Sequence, residues 1–349
     1  DSAVPGEHEV LGQVRTAWDV ARAEGTARRG LNLLFRHALE VGKRARTETG
    51  IATHVTSVSQ AAVLLAAERL GGLAGRRAVL VVADGIVDIA TASGGALPSD
   101  AQLLYERWDD LRALADRVQG PEAPVELSAL QAPVPRPRQV FAIGMNYAAH
   151  AAEAGVEAPE FPPTFTKFPT CLTGPDATVA LPSAFVDWEV ELVAVIGSAA
   201  YEVEVGKGWS HVAGLTVGQD LSERIVQTRP PAPQFSLGKS FPGFGPTGPW
   251  VITPDELDDP DDLALGCTVN GEEMQKSRTS DLIFGVDALV HLLSSITPLL
   301  PGDLIFTGTP SGVGGTRTPP RFLAPGDELV STIAGIGTIH THLVDRSAR

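Results

Sequence analysis

Two glutamates separated by one residue, Glu189 and Glu191 in "DWEVELVAVIG", carry the first chemical signal of the chain. The residues around and after them, Val190, Leu192, Val193, Val195 and Ile196, have the composition of a buried strand. On a strand, residues i and i+2 point to the same face. Both carboxylates therefore project side by side, with Trp188 and Val190 on the other face. Like charges beside apolar surface repel each other and lose solvation. A divalent cation would compensate them, because hard ions such as Mg²⁺, Mn²⁺ and Ca²⁺ take oxygen ligands. Asp220 in "GLTVGQDLSERIVQ" offers a third carboxylate at a strand-to-helix turn. Arg224 and Gln227 follow at i+4 and i+7, on the same helical face as Asp220. An isolated Glu-x-Glu pair is more often a solvated edge pair than a metal site.

Other stretches add chemistry. "NYAAHAAEAG" sets His150 and Glu153 three residues apart on a short helix, where they can touch. A carboxylate beside a histidine orients the ring and raises its basicity, which is the arrangement of a general base. The plain alternative is a casual surface pair. Lys239 is the one lysine of "SLGKSFPGFGPTGPW", a Gly/Pro-rich loop with aromatics. It could bind a carboxylate or an enolate oxygen, or face water. "FTGTPSGVG" is a strand running into glycines, with Thr307 and Thr309, and open backbone N–H groups there can hold an anionic oxygen. It lacks the Lys-Ser/Thr of a nucleotide-binding loop, which excludes ATP as its ligand.

The elements that must carry these residues fall into three regions. Residues 1–77 read as amphipathic helices, with Leu11, Val14 and Trp18 on one face and Leu31, Leu34, Phe35 and Ala38 on the next. Residues 78–134 read as a small α/β segment. It holds a strand, an Asp84-Gly85 hairpin signal, one amphipathic helix starting at Pro98-Ser99-Asp100, and the extended proline-rich lead-in "APVPRPRQ". From residue 135 to the end, short strands alternate with Gly/Pro turns, with helical pieces at Tyr147–Ala154 and near Asp281–Ile296. There is no ordered βαβ alternation, so the fold class is α+β and mainly β rather than doubly wound.

Bulk properties narrow the partners. A net charge of −15 argues against nucleic acid and anionic membranes. No apolar run is long enough to span a bilayer, and no signal peptide is recognised. The two cysteines, Cys171 and Cys267, lie in no metal-binding spacing and suit a reducing cytoplasm.

Seven stretches, "FAIGMNYAAHAAEAG", "FTKFPTCLTGP", "DWEVELVAVIG", "GLTVGQDLSER", "SLGKSFPGFGPTGPW", "MQKSRTSDLIF" and "PGDLIFTGTPSGVG", occur in the order and spacing of one family. Through them, residues from about 80 to the end resemble the fumarylacetoacetate hydrolase family. The resemblance implies a mixed β-sandwich or β-roll catalytic domain, usually dimeric. It implies Mg²⁺ or Mn²⁺ held by Glu189, Glu191 and Asp220, with Ca²⁺ as a further possibility. It implies His150 and Glu153 as the pair that activates water, and Lys239, Arg224, Gln227 and Thr309 around the substrate's carboxylate and carbonyl oxygens. The segment after His150, through "PEFPPTFTK", matches a lid. Residues 1–77 instead resemble an internal helical segment of glutamyl-tRNA reductase. The dinucleotide Gly-x-Gly is absent where that enzyme would start its NADPH site, and no cysteine precedes Cys171, so reductase activity is not expected.

The leading expectation is metal-dependent hydrolysis of a C–C bond in a 2,4-diketo acid, an acylpyruvate or a 2,4-diketo-3-deoxy sugar acid, giving pyruvate and a carboxylic acid. Oxaloacetate-type decarboxylation or keto–enol isomerisation at the same site is the alternative. A non-catalytic metal-binding protein is the alternative from another class. The expected partners are a small keto acid and a second copy of the chain.

Overall fold

The Val190–Ile196 strand is buried along its whole length, as its run of apolar residues requires of a strand covered on both faces. It lies in the middle of a seven-stranded mixed sheet. The order is Thr164–Thr166, Val140–Ile143, Leu304–Phe306, Val190–Ile196, Val212–Gln219, Gly245–Ile252 and Leu172–Thr173. Both neighbours of the central strand run antiparallel to it. The computed structural model describes residues 77–348 apart from 83, 84, 119, 121 and 122. The helices expected in 1–77 fall on residues 1–76, which, with Asp84 of the hairpin signal, lie outside the described residues.

Alternation along the central strand builds two apolar layers. Val190, Leu192, Ala194 and Ile196 face one way and share a cluster with Leu265, Leu329, Ile339 and Leu343. Those partners belong to a five-stranded sheet ordered Glu272–Arg278, Ala264–Val269, Glu328–Ile333, Gly337–Asp345 and Asp176–Leu181. Val193 and Val195 face the other way and pack with Tyr105, Val134, Leu304 and Phe306. The result is a mixed α/β fold with a curled sheet. The strands expected at "QVFAIG", "GPWVIT", "LGCTVNG" and "DLIFTGT" are present, and "DELVSTIAGIGTIHTHLV" is a hairpin of two strands.

One expected helix is divided. The stretch after Asp100 forms Ala101–Leu104, a 3-10 turn at Tyr105–Arg107, and Trp108–Ala115. Arg107 leaves helical geometry at φ −124°, ψ 33°. The break stacks the Tyr105 and Trp108 rings, and Tyr105 keeps its place against the sheet.

The central strand starts on residues that backbone ladders do not fully serve. Two buried glutamine side chains complete the pairing. The Glu189 N–H donates to Gln219 Oε1 and the Val190 N–H to Gln275 Oε1, each at 2.9 Å. Gln275 Nε2 then donates to Thr309 Oγ1 and to the Pro310 carbonyl, each at 2.8 Å. Gln275 thus ties the five-stranded sheet to the start of the central strand and to the loop after Phe306. A buried polar group stripped of its partner costs about 1–3 kcal/mol. Gln275→Leu is therefore expected to lower unfolding free energy by at least that amount in urea titrations. An unchanged midpoint would show that these bonds do not hold the sheets together.

Candidate active site

The antiparallel register pairs Glu191 with Gly218 and Val190 with Gln219. This places Asp220, just past the end of its strand, beside the glutamate pair, and the Asp220 N–H donates to the Glu189 carbonyl at 2.9 Å. Glu189, Glu191 and Asp220 are all buried, and one oxygen from each lies within 4.8 Å of the others. The expected convergence of these three carboxylates is present.

Three cations enter the same network. Lys239 Nζ bridges Glu189 Oε2 and Asp220 Oδ2, at 2.7 Å each. Lys167 Nζ donates to Asp220 Oδ1 at 2.6 Å, to the Phe244 carbonyl at 3.1 Å, and to the Lys239 carbonyl. Arg224 reaches Glu189 Oε1 through Nη1 at 2.7 Å and Asp187 Oδ2 through Nη2 at 2.7 Å. Arg224 and Gln227 share a helix, Arg224–Gln227, and are bonded at 2.9 Å. That helix begins only at Arg224. Asp220 precedes a short strand, Ser222–Glu223, so the expected single helical face from Asp220 to Gln227 does not form.

The glycine-rich loop after Phe306 does something different from the expected capture of a substrate oxyanion. Its N–H groups are turned on the protein's own carboxylates. Gly308 donates to Glu191 Oε2 at 2.8 Å. Gly312 donates to both oxygens of Glu153, at 3.1 and 3.0 Å. Gly314 and Gly315 donate to Asp187 at 2.7 and 2.9 Å. Gly312 has φ +103°, and a Cβ there would stand 2.3 Å from the Met274 carbonyl, so the turn that aims its N–H requires glycine. Thr309 spends its O–H on the Val190 carbonyl at 2.9 Å.

The His–Glu pair is formed as expected. On the helix Ala148–Glu153, His150 Nδ1 lies 2.7 Å from Glu153 Oε1. A carboxylate accepts, so Nδ1 carries the proton and Nε2 is left as the basic nitrogen. The helix is tied at its start by Asn146, whose amide donates to the Phe284 and Thr307 carbonyls.

Lys167 and Asp187 are site residues that the sequence reading did not single out. Each left a trace. Lys167 is a lone cation between phenylalanines in "FTKFP", and Asp187 extends the Glu189/Glu191 alternation by one further step.

Charge shows what this arrangement can hold. Burial opposes ionisation of Glu189, but Lys239 and then Arg224 outweigh it and hold the carboxyl down to about 2. Burial, then the Asp220 and Glu189 carboxylates, push Glu191 well above its ordinary value. Glu191 forms no ion pair among the described residues, and its single donor is the Gly308 N–H. Four carboxylates, Asp187, Glu189, Glu191 and Asp220, thus face three cations. An oxygen-only donor set in which one buried carboxyl lacks a cationic partner fits a hard divalent cation, with Glu189, Glu191 and Asp220 as the groups that would hold it.

Residues 139–344 match the family described as Fumarylacetoacetate (FAA) hydrolase C-terminal. Residues 1–49 match Glutamyl-tRNAGlu reductase, N-terminal domain. The chain is 40% identical over 266 residues to the mitochondrial oxaloacetate tautomerase FAHD2A of Bos taurus, a match spanning 74% of this chain and 84% of that protein. A Mycobacterium smegmatis protein provisionally called HpcE shares 51% identity and superposes with a TM-score of 0.75, over 78% of this chain and 98% of that one. The fumarylpyruvate hydrolase of Pseudomonas aeruginosa, solved with Mn²⁺ and pyruvate, shares 30% identity at a TM-score of 0.55, over 60% of this chain and 91% of that one. The chain belongs to the fumarylacetoacetate hydrolase family. No helix among the described residues is long and apolar enough to cross a membrane.

A cation on these carboxylates should stabilise the fold, by about 2.7 kcal/mol at a hundredfold excess over Kd. Thermal melts are expected to shift upward with Mn²⁺, and the shift should vanish in Glu191→Gln. Because its folded pKa is raised, Glu191 contributes stability below the ordinary carboxylate pKa and loses it as pH rises through the raised value. Metal-free Glu191→Gln should therefore be at least as stable as the parent at neutral pH. A destabilised variant that keeps the Mn²⁺ shift would contradict both points.

Proposed function

We propose that the chain is a keto–enol tautomerase of a small 2-keto acid of the oxaloacetate class, working with Mg²⁺ or Mn²⁺. The observation that carries this reading is the 40% identity over 266 residues to the bovine oxaloacetate tautomerase. The hydrolytic reading drawn first from the sequence becomes the second one, supported by the likeness to the fumarylpyruvate hydrolase. The auxiliary, non-catalytic reading comes third, since the acidic cluster stands with a His–Glu pair that metal binding alone does not require.

Keto–enol exchange moves one proton between the carbon next to the keto group and the keto oxygen, and it breaks no C–C bond. His150 Nε2, with Nδ1 fixed on Glu153, takes the proton from carbon and returns it to oxygen. Lys239 neutralises the charge that develops on that oxygen. Gln227 is assigned to the substrate carboxylate through its amide N–H₂, and Arg224, whose nitrogens are taken by Asp187, Glu189 and Gln227, orients it from the short helix they share. A bound Mg²⁺ or Mn²⁺ would add Lewis-acid polarisation of the keto oxygen. In the second reading, Nε2 takes its proton from water, and the hydroxide attacks the distal carbonyl of a 2,4-diketo acid. The assembly proposed with either reading is a homodimer.

Oxaloacetate dissolved as its enol is expected to relax to the keto form faster with the Mn²⁺-loaded protein, read as loss of enol absorbance, and to release no pyruvate. Metal-dependent pyruvate from acetylpyruvate, with oxaloacetate relaxation at background, would transfer the assignment to hydrolysis. His150→Ala is expected to slow the reaction by about 10²–10⁴-fold while retaining Mn²⁺. Full activity in that variant would remove His150 from the mechanism.

A further inference from the structure

Asp187 belongs neither to the three converging carboxylates nor to the His–Glu pair, yet its position is fixed from several sides. It is fully buried. Oδ1 accepts from the Trp188 and Gly314 N–H groups at 2.8 and 2.7 Å. Oδ2 accepts from the Gly315 N–H at 2.9 Å and from Arg224 Nε and Nη2 at 2.9 and 2.7 Å. Backbone donors move only with their strand or loop, so this carboxylate cannot turn without them. It therefore fixes the plane of the guanidinium it holds, because the fork of an arginine is rigid. With Nε and Nη2 engaged, Nη1 is delivered to Glu189 Oε1 at 2.7 Å and to Gln227 Oε1 at 2.9 Å. The remaining contacts of Glu189 are softer. Lys239 ends a flexible chain, and Ser222 Oγ stands 3.3 Å from Oε1. The Glu189 carboxylate is thus held at Oε2 by Lys239 and at Oε1 by Arg224, and the Oε1 side is set from Asp187. Asp187 also offsets a guanidinium charge that would otherwise repel a cation held nearby.

We infer that Asp187 is a positioning residue for cation binding: through Arg224 it holds Glu189 in the orientation that a divalent ion requires. The inference rests on the reading of Glu189, Glu191 and Asp220 as cation ligands. Groups that orient a metal's ligands are typically worth about 10–100-fold in affinity. Removing the Asp187 charge would also weaken cation attraction directly, so the test must separate orientation from charge.

The measurement is Mn²⁺ affinity of the full chain stripped with chelator, followed by the electron paramagnetic resonance signal of free Mn²⁺. Asp187→Asn and Arg224→Lys are each expected to weaken binding by about 10–100-fold. Arg224→Lys keeps the charge but cannot grip Asp187 and Glu189 together, and it serves if Asp187→Asn does not fold. Adding Asp187→Asn to Arg224→Gln should change affinity far less than Asp187→Asn does in the parent, leaving only the direct charge effect, because the group through which Asp187 orients Glu189 is already gone. A full Asp187→Asn effect in that background would mean direct charge attraction and would overturn the inference. So would Arg224→Lys with parental affinity. Parent protein that binds no Mn²⁺ would remove the ligand reading and this inference together. Parent binding that Glu191→Gln abolishes, and that Asp187→Asn and Arg224→Lys leave intact, would remove this inference alone.

Discussion

Burial of like charge is the constraint around which this molecule is built. Asp187, Glu189, Glu191 and Asp220 are all withdrawn from water in one network with Lys167, Arg224 and Lys239. Isolating a buried ion costs several kcal/mol, and a pair offsets that cost only when its geometry is good and its remaining lone pairs are satisfied. Each cation here bridges rather than pairs. Lys239 joins Glu189 to Asp220, Arg224 joins Asp187 to Glu189, and Lys167 joins Asp220 to two backbone carbonyls. Glu191 is left over, with no ion pair among the described residues and a hydrogen bond from the Gly308 N–H. A carboxyl buried without a cationic partner is unfavourable for folding, and it is the feature of this cluster that a hard cation would fit.

The sheets and the glycine loop serve this network. The central strand brings Glu189 and Glu191 to one face, and its antiparallel neighbour ends at the position that adds Asp220. The loop from Gly308 to Gly315 supplies N–H donors to Glu191, Glu153 and Asp187. One loop thus fixes one of the three converging carboxylates, the partner of the candidate base, and the carboxylate that grips Arg224. Oriented amides can compensate buried negative charge without adding a mobile side chain. Glycine is needed where such an amide must be aimed from a left-handed turn pressed against another backbone, as at Gly312.

Much of this was legible in the sequence, for specific reasons. Period-2 alternation placed Glu189 and Glu191 together and Trp188 and Val190 opposite, and the two apolar layers keep that parity. The spacing of His150 and Glu153 gave their contact directly. Features that depend on tertiary partners were not legible. Nothing local says that Lys167 crosses to Asp220, more than fifty residues along the chain. The loop amides looked open because sequence does not show which carboxylates face them. The helix after Asp100 had continuous periodicity, but packing of Tyr105 and Trp108 on the sheet divides it. Arg224 and Gln227 were placed on one helix with Asp220, whereas a short strand intervenes. The family likeness does not choose between reactions, since one metal-assisted acid/base site can serve both enolisation and C–C cleavage.

The most direct test of the account is anomalous diffraction from a crystal soaked in Mn²⁺. A single strong peak is expected within coordination distance of oxygens of Glu189, Glu191 and Asp220, inside the span of about 2.0–2.6 Å covered by Mg²⁺ and Ca²⁺, with Asp187 still gripping Arg224. A peak elsewhere, or none, with Lys239 unmoved between Glu189 and Asp220, would contradict it. Glu191 would then be a buried neutral carboxyl rather than part of a cation site.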